Sequence, residues 1–485
     1  MGIGIGEKIL QYTNELLGQT TDDRRQTTTT TTMKRGRDDD DEKDDGDARY
    51  ARFREWCDAV GIVMNDDAIE VRSLVDHTAG GASASSASTT ERRHYAVFAK
   101  RDLNPDETVF TVPKSATLCA ANSVTMGPRC ARGELGGGLA LNAAAMYELG
   151  SAVGREEGGG MRFDGFAAIL PIRGERTLPM FWDESLLKEL RGTELAEHLE
   201  EDEDNFKEDF ETCVEALELT EEELASGDFS LDRFKEVASI AASRAFYVGG
   251  KYGECLVPCA DLFNHRTGEN SVAVYGVEDE EDSDEDEAFP DDDDDDDDDE
   301  DDDGCLVIKT VKKVKAGDEL FNTFGTQSNA SLLHKYGFCE THNVDTATVT
   351  LDVSLFEAVY GKNVMESVYE ALKTADVDSD LLEFFECGKY YEVSHDGVID
   401  DEFTALVTAM TRCDAPPLSD DSVINITINI IDARLARYGD LGDLDEELSE
   451  SGKPPAGGGV VLREAARLVR RQEVELLRAA RKALL

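Results

Sequence analysis

Basic residues are scarce in this chain. It carries 49 Lys and Arg against 105 Asp and Glu, a net charge of −56 over 485 residues. A protein that neutralises nucleic-acid phosphates needs a basic face. DNA and RNA are therefore not expected as partners, and a basic protein is the natural complement. Long apolar runs are missing too. No stretch approaches the roughly 20 residues that cross a bilayer, so a membrane is not expected as a partner either. Cysteine pairs of the C-x-x-C kind are absent. The ten cysteines are Cys57, Cys119, Cys130, Cys213, Cys255, Cys259, Cys305, Cys339, Cys387 and Cys413, and they are scattered. Zinc needs clustered ligands, and only Cys255 and Cys259 lie close together, so no metal is expected. The same scatter, with no secretory signal, leads us to expect reduced thiols in the nucleus or cytoplasm, a chloroplast address not being excluded.

What is abundant is acid, and much of it is local. Residues 278–303 hold 22 acidic residues among 26, and removing them from −56 still leaves −34. So many like charges cannot pack, so this tract is expected to be a solvated, disordered loop. It lies between two β-rich segments, Val272 to Val277 and Leu306 to Thr310, and reads as an overgrown hairpin loop. Long loops are tolerated because closure costs only about 0.6 kcal/mol per doubling of length.

Residues 1–49, with six threonines at 27–32 and a basic cluster from Lys34 to Arg37, read as a disordered N-terminal segment. Order is expected from about Tyr50. A short amphipathic helix covers Phe53 to Cys57. Strands at 95–99 and 109–113 are joined through the turn Asn104-Pro105-Asp106. A flexible Gly/Ala/Ser loop surrounds 79–90. The periods are helical from about 139 to 245, with a Gly-rich loop at 158–160, an acidic helical stretch at 200–225 and the strongest helix at Asp232 to Phe246. Strands are expected at 255–263, 271–277 and 305–311. A strand at 255–263 would place Cys255 and Cys259 on one face, as buried thiols. After about 346 the pattern is mainly helical. Ile424, Ile426, Ile428 and Ile430 alternate with polar residues, which alone reads as a strand. The last segment, 461–485, reads as a helix with an apolar side and seven basic residues.

Two segments carry the chemistry. The first runs Cys255-Leu256-Val257-Pro258-Cys259-Ala260-Asp261-Leu262-Phe263 and ends in Asn264-His265. The second runs Gly317-Asp318-Glu319-Leu320-Phe321-Asn322-Thr323-Phe324-Gly325, followed by Ser328-Asn329 and Tyr336-Gly337-Phe338. Together they resemble the signature segments of SET-domain protein-lysine methyltransferases, in the branch of the Rubisco large-subunit methyltransferase and the ribosomal-protein lysine methyltransferases. The resemblance covers about 50–485 and is strongest at 240–340.

The resemblance implies an α+β fold: a pseudoknotted, β-rich SET core with a helical insert, then an all-α C-terminal substrate-binding domain. The implied boundaries are 50–345 for the SET domain, with the insert at about 135–235, and 346–485 for the helical domain. It also argues for a helix, rather than a strand, across Ile424 to Ile430. The implied cofactor is S-adenosyl-L-methionine and the implied reaction is methyl transfer to a lysine of a basic, possibly ribosomal, protein by a monomer. Ser243-Arg244-Ala245-Phe246 resembles the family segment whose arginine meets the cofactor carboxylate, a task suited to a planar guanidinium. Asn264 and His265 fall on the Asn-His pair that meets the cofactor. Phe98 and Ala99 end the strand that corresponds to the family's first cofactor-facing strand, here Arg93 to Ala99 without a glycine. Phe324 stands where the family has a tyrosine, keeping the ring and lacking the hydroxyl. Phe324, Tyr336 and Tyr275 are the expected lining of the lysine channel. Two other readings stay open: a catalytically impaired SET protein that binds basic proteins, and a histidine-directed methyltransferase.

Overall fold

The computed structural model describes residues 45–78, 90–150, 163–171, 177–225, 227–277, 304–375, 377–413, 418, 422–439 and 462–485. Residues 1–44 of the segment expected to be disordered, the loop at 79–89, Gly158–Gly160 and the acidic tract 278–303 lie outside them, whereas residues 45–49 of that segment open the Asp45–Val60 helix. The chain divides into two compact units. The first takes residues up to 75, 93–175 and 204–325, and the second takes 76–92, 176–203 and 326–485. Residues 176–203 and 326–345 thus group with the C-terminal helices rather than following the chain-order boundary near 345.

The first unit is built on short antiparallel sheets. Strands β1 (Val63–Met64), β2 (Ile69–Thr78), β3 (Thr90–Ala99) and β4 (Thr108–Pro113) come first. Then follow β5 (Ala245–Tyr247), β6 (Glu254–Leu256), β7 (Val272–Tyr275), β8 (Cys305–Thr310) and β9 (Glu319–Leu320). They pair as β1-β4-β8-β7, β2-β3-β9 and β5-β6. In β4, Val109, Phe110 and Val112 are buried, and the β8 partners Leu306 and Ile308 are buried across from them. β7 and β8 pair from Val272↔Thr310 to Tyr275↔Val307, so the acidic tract joins two strands already in antiparallel register. The Asp45–Val60 helix packs on the Asp164–Ile169 helix through Phe53, Trp56, Phe163 and Phe166. Gly165 is required there: a Cβ on it would meet the Trp56 side chain at 2.0 Å.

Three local expectations are corrected. The stretch 255–263 is a strand only over its first residues. Cys259 adopts φ +71°, and a 3-10 turn over Ala260–Leu262 follows. Cys255 and Cys259 are both buried, but on different elements rather than on one strand face. The strongest helix stops at Arg244, because Ala245–Tyr247 pairs with β6 and its backbone is claimed by that ladder. The acidic stretch 200–225 is two helices, Glu194–Ala216 and Glu221–Ala225.

The second unit is helical around one two-stranded ladder, β10 (Val349–Leu351) with β11 (Tyr391–Val393). Phe356, Phe384, Tyr391 and Phe403 pack ring against ring in its core. The alternating isoleucines form a helix, Val423–Ala436. Ser422 caps it by accepting from the Asn425 N–H, and Ile426, Thr427, Ile430, Ile431 and Arg434 are its buried face. Ile424 is left 51 % exposed, which a buried strand face would not allow. The Leu462–Ala483 helix buries Ala465, Val469, Leu476 and Ala480. No helix among the described residues is long and apolar enough to cross a membrane.

Candidate active site

The site is assembled in the first unit by one threading step. β9 pairs with β3, Phe98 opposite Glu319, and the Ala99 N–H donates to the Asp318 carbonyl at 2.9 Å. On its other side the same segment runs parallel to Asn264: the two form a bridge at Phe321, and the Asn322 N–H donates to the Asn264 carbonyl at 3.1 Å. Residues 319–322 therefore lie between the end of β3 and the Asn264-His265 pair, the crossing expected of a pseudoknotted core.

This crossing brings most of the expected residues together. Asn264 donates from Nδ2 to Glu319 Oε1 at 2.8 Å, which leaves its Oδ1 as an acceptor. The Phe324 N–H donates to His265 Nδ1 at 3.0 Å. Nδ1 is thus an acceptor, and the ring N–H sits on Nε2, 3.3 Å from Thr267 Oγ1. The Phe324 ring stacks on the His265 ring, centroids 4.9 Å apart at 17°. Phe98 is half-buried, with the Arg72 guanidinium 4.2 Å over its ring.

Arg244 ends the Leu231–Arg244 helix and is 29 % exposed. Its Nη1 donates to the Asp261 carbonyl at 3.0 Å and lies 3.8 Å from the Asp261 carboxylate. Both of these contacts run through Nη1. Burial pushes the Asp261 carboxyl up to about 6, against the lowering effect of Arg244. Its Oδ1 is buried without a hydrogen-bond partner. Cys259, a non-glycine residue with positive φ, turns the chain into this segment.

Tyr336 and Tyr275 are placed differently. Tyr336 belongs to the second unit, at the end of the Asn329–Tyr336 helix, half-buried and 6.3 Å from the Phe338 ring. Gly337 caps that helix at φ +75°, where a Cβ would meet Thr177 Oγ1 at 2.4 Å. Tyr275 is 42 % exposed at the end of edge strand β7, with Lys309 Nζ 5.3 Å from its ring.

Sequence reasoning left Glu319 and Asp261 without roles. Glu319 is a carboxylate raised by burial and held by Asn264. The signal was present: an acidic residue directly before the apolar pair Leu320-Phe321, and another inside the apolar run 255–263. An acid in a buried stretch calls for a partner. Among the described residues no group of three or more His, Cys, Asp or Glu is placed to hold a metal ion.

No family model matches the chain. In sequence it is similar to the N-lysine methyltransferase setd6 of Xenopus laevis, 25 % identical over 344 residues, covering 67 % of this chain and 63 % of that protein. The human N-lysine methyltransferase SETD6 is 24 % identical over 347 residues, covering 67 % of this chain and 65 % of that protein. The chain thus spans just under two thirds of the length of these curated relatives. Among solved structures, the SET domain of LSMT bound to lysine and AdoHcy superposes with a TM-score of 0.61 at 17 % identity, covering 91 % of this chain and 92 % of that one. Rubisco LSMT bound to AdoMet gives 0.60 at 17 % identity, with 90 % and 91 % covered. The α+β architecture of the chain is the SET-domain fold of the Rubisco LSMT branch, and its sequence is similar to the N-lysine methyltransferases of the SETD6 group.

Proposed function

We propose that the chain is an S-adenosylmethionine-dependent protein methyltransferase that acts on a lysine of a basic protein, with ribosomal proteins as the first candidates. The observation that carries this reading is the passage of Glu319–Gly325 beside Asn264–His265. It sets a carboxamide, an imidazole and an aromatic ring next to each other, three residues beyond the Arg244–Asp261 pair.

The residues fit the cofactor. The planar Arg244 guanidinium suits its carboxylate. Asn264 Oδ1, with Nδ2 held by Glu319, is an acceptor for an ammonium or amine N–H. When bound, S-adenosylmethionine supplies an electrophilic methyl group on a sulfonium. The protein's own task is to hold the amine in line, exclude water and favour the neutral amine. A free lysine has a pKa near 10.4, so about one in 2,500 is neutral at pH 7. Apolar walls such as Phe98 and Phe324 disfavour the ammonium form by desolvation. In this proposal the second unit, 346–485 in particular, binds the substrate protein. Tyr275, exposed beside Lys309, has no part in it.

One observation favours a second reading, a SET protein that binds basic partners without turning over. Phe324 is fixed flat on His265, so a hydroxyl is missing at a defined place. Removing one preorganised donor costs roughly 10²–10³-fold in rate. The test is transfer of a labelled methyl group from S-adenosylmethionine to a panel of basic proteins, with the acceptor residue mapped by mass spectrometry. Label on lysine supports the first reading. Label on histidine moves the reading to a histidine-directed enzyme. Cofactor binding without label supports the binding module.

A further inference from the structure

We propose that Cys119 and Cys255 form a redox-active dithiol in the first unit, closed to an intramolecular disulfide by a hydroperoxide and reopened by a small thiol reductant. The argument starts from backbone register. Leu118 and Leu256 form an isolated antiparallel bridge in which each N–H donates to the other's carbonyl, at 3.0 and 2.9 Å. They are a hydrogen-bonded pair, so the next pair outward, Cys119 opposite Cys255, is a non-hydrogen-bonded one. Such pairs have Cα atoms about 4.5 Å apart and side chains turned toward each other. A disulfide spans Cα separations from about 4.4 Å upward, so the backbone as it stands accommodates the bond. The two thiols are close enough to perturb each other's ionisation, and the Cys255 Sγ lies 3.6 Å from the Tyr252 and Gly253 carbonyls.

The surroundings of Cys119 favour its thiolate. The neighbouring Cys255 thiol first, and then the Asn122 backbone, Thr117 and the Ala121 backbone, hold it below the ordinary thiol range against the effect of burial. The thiolate is the form that attacks peroxide. Cys255 is pushed up, chiefly by the neighbouring Cys119 and then by burial. Once the Cys119 sulfur has lost its charge, that restraint on Cys255 is gone.

The step balances as follows. The Cys119 thiolate attacks the O–O bond of the hydroperoxide and becomes a sulfenic acid, and the alcohol, or water, departs. The Cys255 thiol then gives up its proton and attacks the sulfenic sulfur, expelling hydroxide, which leaves as water. Two thiols lose two protons and two electrons, and one hydroperoxide takes them up to give the alcohol (or water) and water. Both cysteines are buried, so the reagent must be small and enter through local opening of this irregular bridge.

The same unit contains its own control. Cys57 and Cys259 are also neighbouring thiols, but Cys259 is raised well above the usual value, first by burial and then by Cys57. It should stay reduced. The experiment uses the full chain. Exposed thiols, Cys305 and Cys387 among them, are first capped with a bulky maleimide. Hydrogen peroxide is added, remaining thiols are alkylated under denaturation with a different tag, and peptides are mapped without reduction. The expected product is a peptide joining Cys119 to Cys255, abolished by dithiothreitol, with Cys57 and Cys259 alkylated. In Cys255→Ser, Cys119 should appear as a dimedone-trapped sulfenic acid with no joined peptide. Cys119 and Cys255 both recovered as alkylated thiols would overturn the proposal. So would a Cys57–Cys259 link forming ahead of theirs.

Discussion

Arg244 divides its guanidinium between a structural and a binding task. Nη1 holds the Asp261 carbonyl, and on the proposed reading the other guanidinium nitrogens meet the cofactor carboxylate. On the proposed reading, Arg244→Ala should weaken S-adenosylmethionine binding by roughly 1.5–3 kcal/mol, the worth of a charged hydrogen bond. Unchanged affinity by calorimetry would remove Arg244 from the pocket. Phe324 tests the chemistry at the same scale. Its ring is already stacked on His265, so Phe324→Tyr adds an oxygen to a ring whose place is set. Turnover should rise, or the number of methyl groups added should change, while thermal stability stays close to that of the parent. Identical rates and products in the two proteins would show the hydroxyl to be irrelevant here.

At the scale of the element, β9 is the part on which the site depends. It is only Glu319–Leu320, yet it ties β3 on one side and Asn264 on the other. Glu319→Ala should leave the fold intact and lower cofactor affinity, because Asn264 loses the partner that orients its amide. Unaltered affinity would argue that Asn264 is positioned by its backbone alone.

The elements also show what the sequence could disclose. Asn264-His265 and Asn322-Thr323-Phe324-Gly325 were readable as a pair because their residue types are unusual and ordered, and Arg244, Phe98 and Ala99 followed from the same pattern. The bend at Cys259 was not readable. A run of apolar residues looks like a strand, and nothing in the letters shows that one of them adopts positive φ. The helix at Val423–Ala436 ran against its own alternation. Ser422 and the one-sided burial of Ile426, Ile430 and Arg434 decide it, and burial is a tertiary property. The grouping of 176–203 with the C-terminal helices rests on contacts such as Arg434 Nη1 to the Gly192 carbonyl at 2.6 Å, 242 residues apart. No local pattern announces such a pair.

At the scale of the whole molecule, charge governs behaviour. Glu473 is fully buried in the second unit, where it accepts from the Tyr438 hydroxyl and lies 3.5 Å from Arg434 Nη2. Burial, then Glu194, raises its carboxyl from 4.5 to about 8. The folded protein therefore keeps a proton that the unfolded chain releases. That contribution is complete below about 4.5 and is lost as the pH rises to about 8. Stability should fall by about 1.4 kcal/mol per pH unit within that window for this one group. Glu473→Gln, which mimics the protonated carboxyl, should flatten the fall in a series of denaturant titrations. An unchanged slope would place the pH dependence elsewhere. Charge also acts on partners. Residues 278–303 join β7 to β8, whose register is complete without them, so replacing the tract by a four-residue turn should leave the fold unchanged. On the proposed reading the shortened protein should capture basic substrates more slowly at low salt. It should match the parent at high salt, where the Debye length falls to about 3 Å at 1 M. Equal capture at both salt concentrations would leave the tract without a steering role.

The central claim is that Arg244, Asn264 and His265 line one site for S-adenosylmethionine. Its most direct test is calorimetric titration of the full chain with S-adenosylmethionine and S-adenosylhomocysteine, in parallel with Arg244→Ala. The account predicts saturable one-to-one binding of both compounds and a weakening in the variant. No heat and no displacement with either compound, from protein that is folded by circular dichroism, would contradict it.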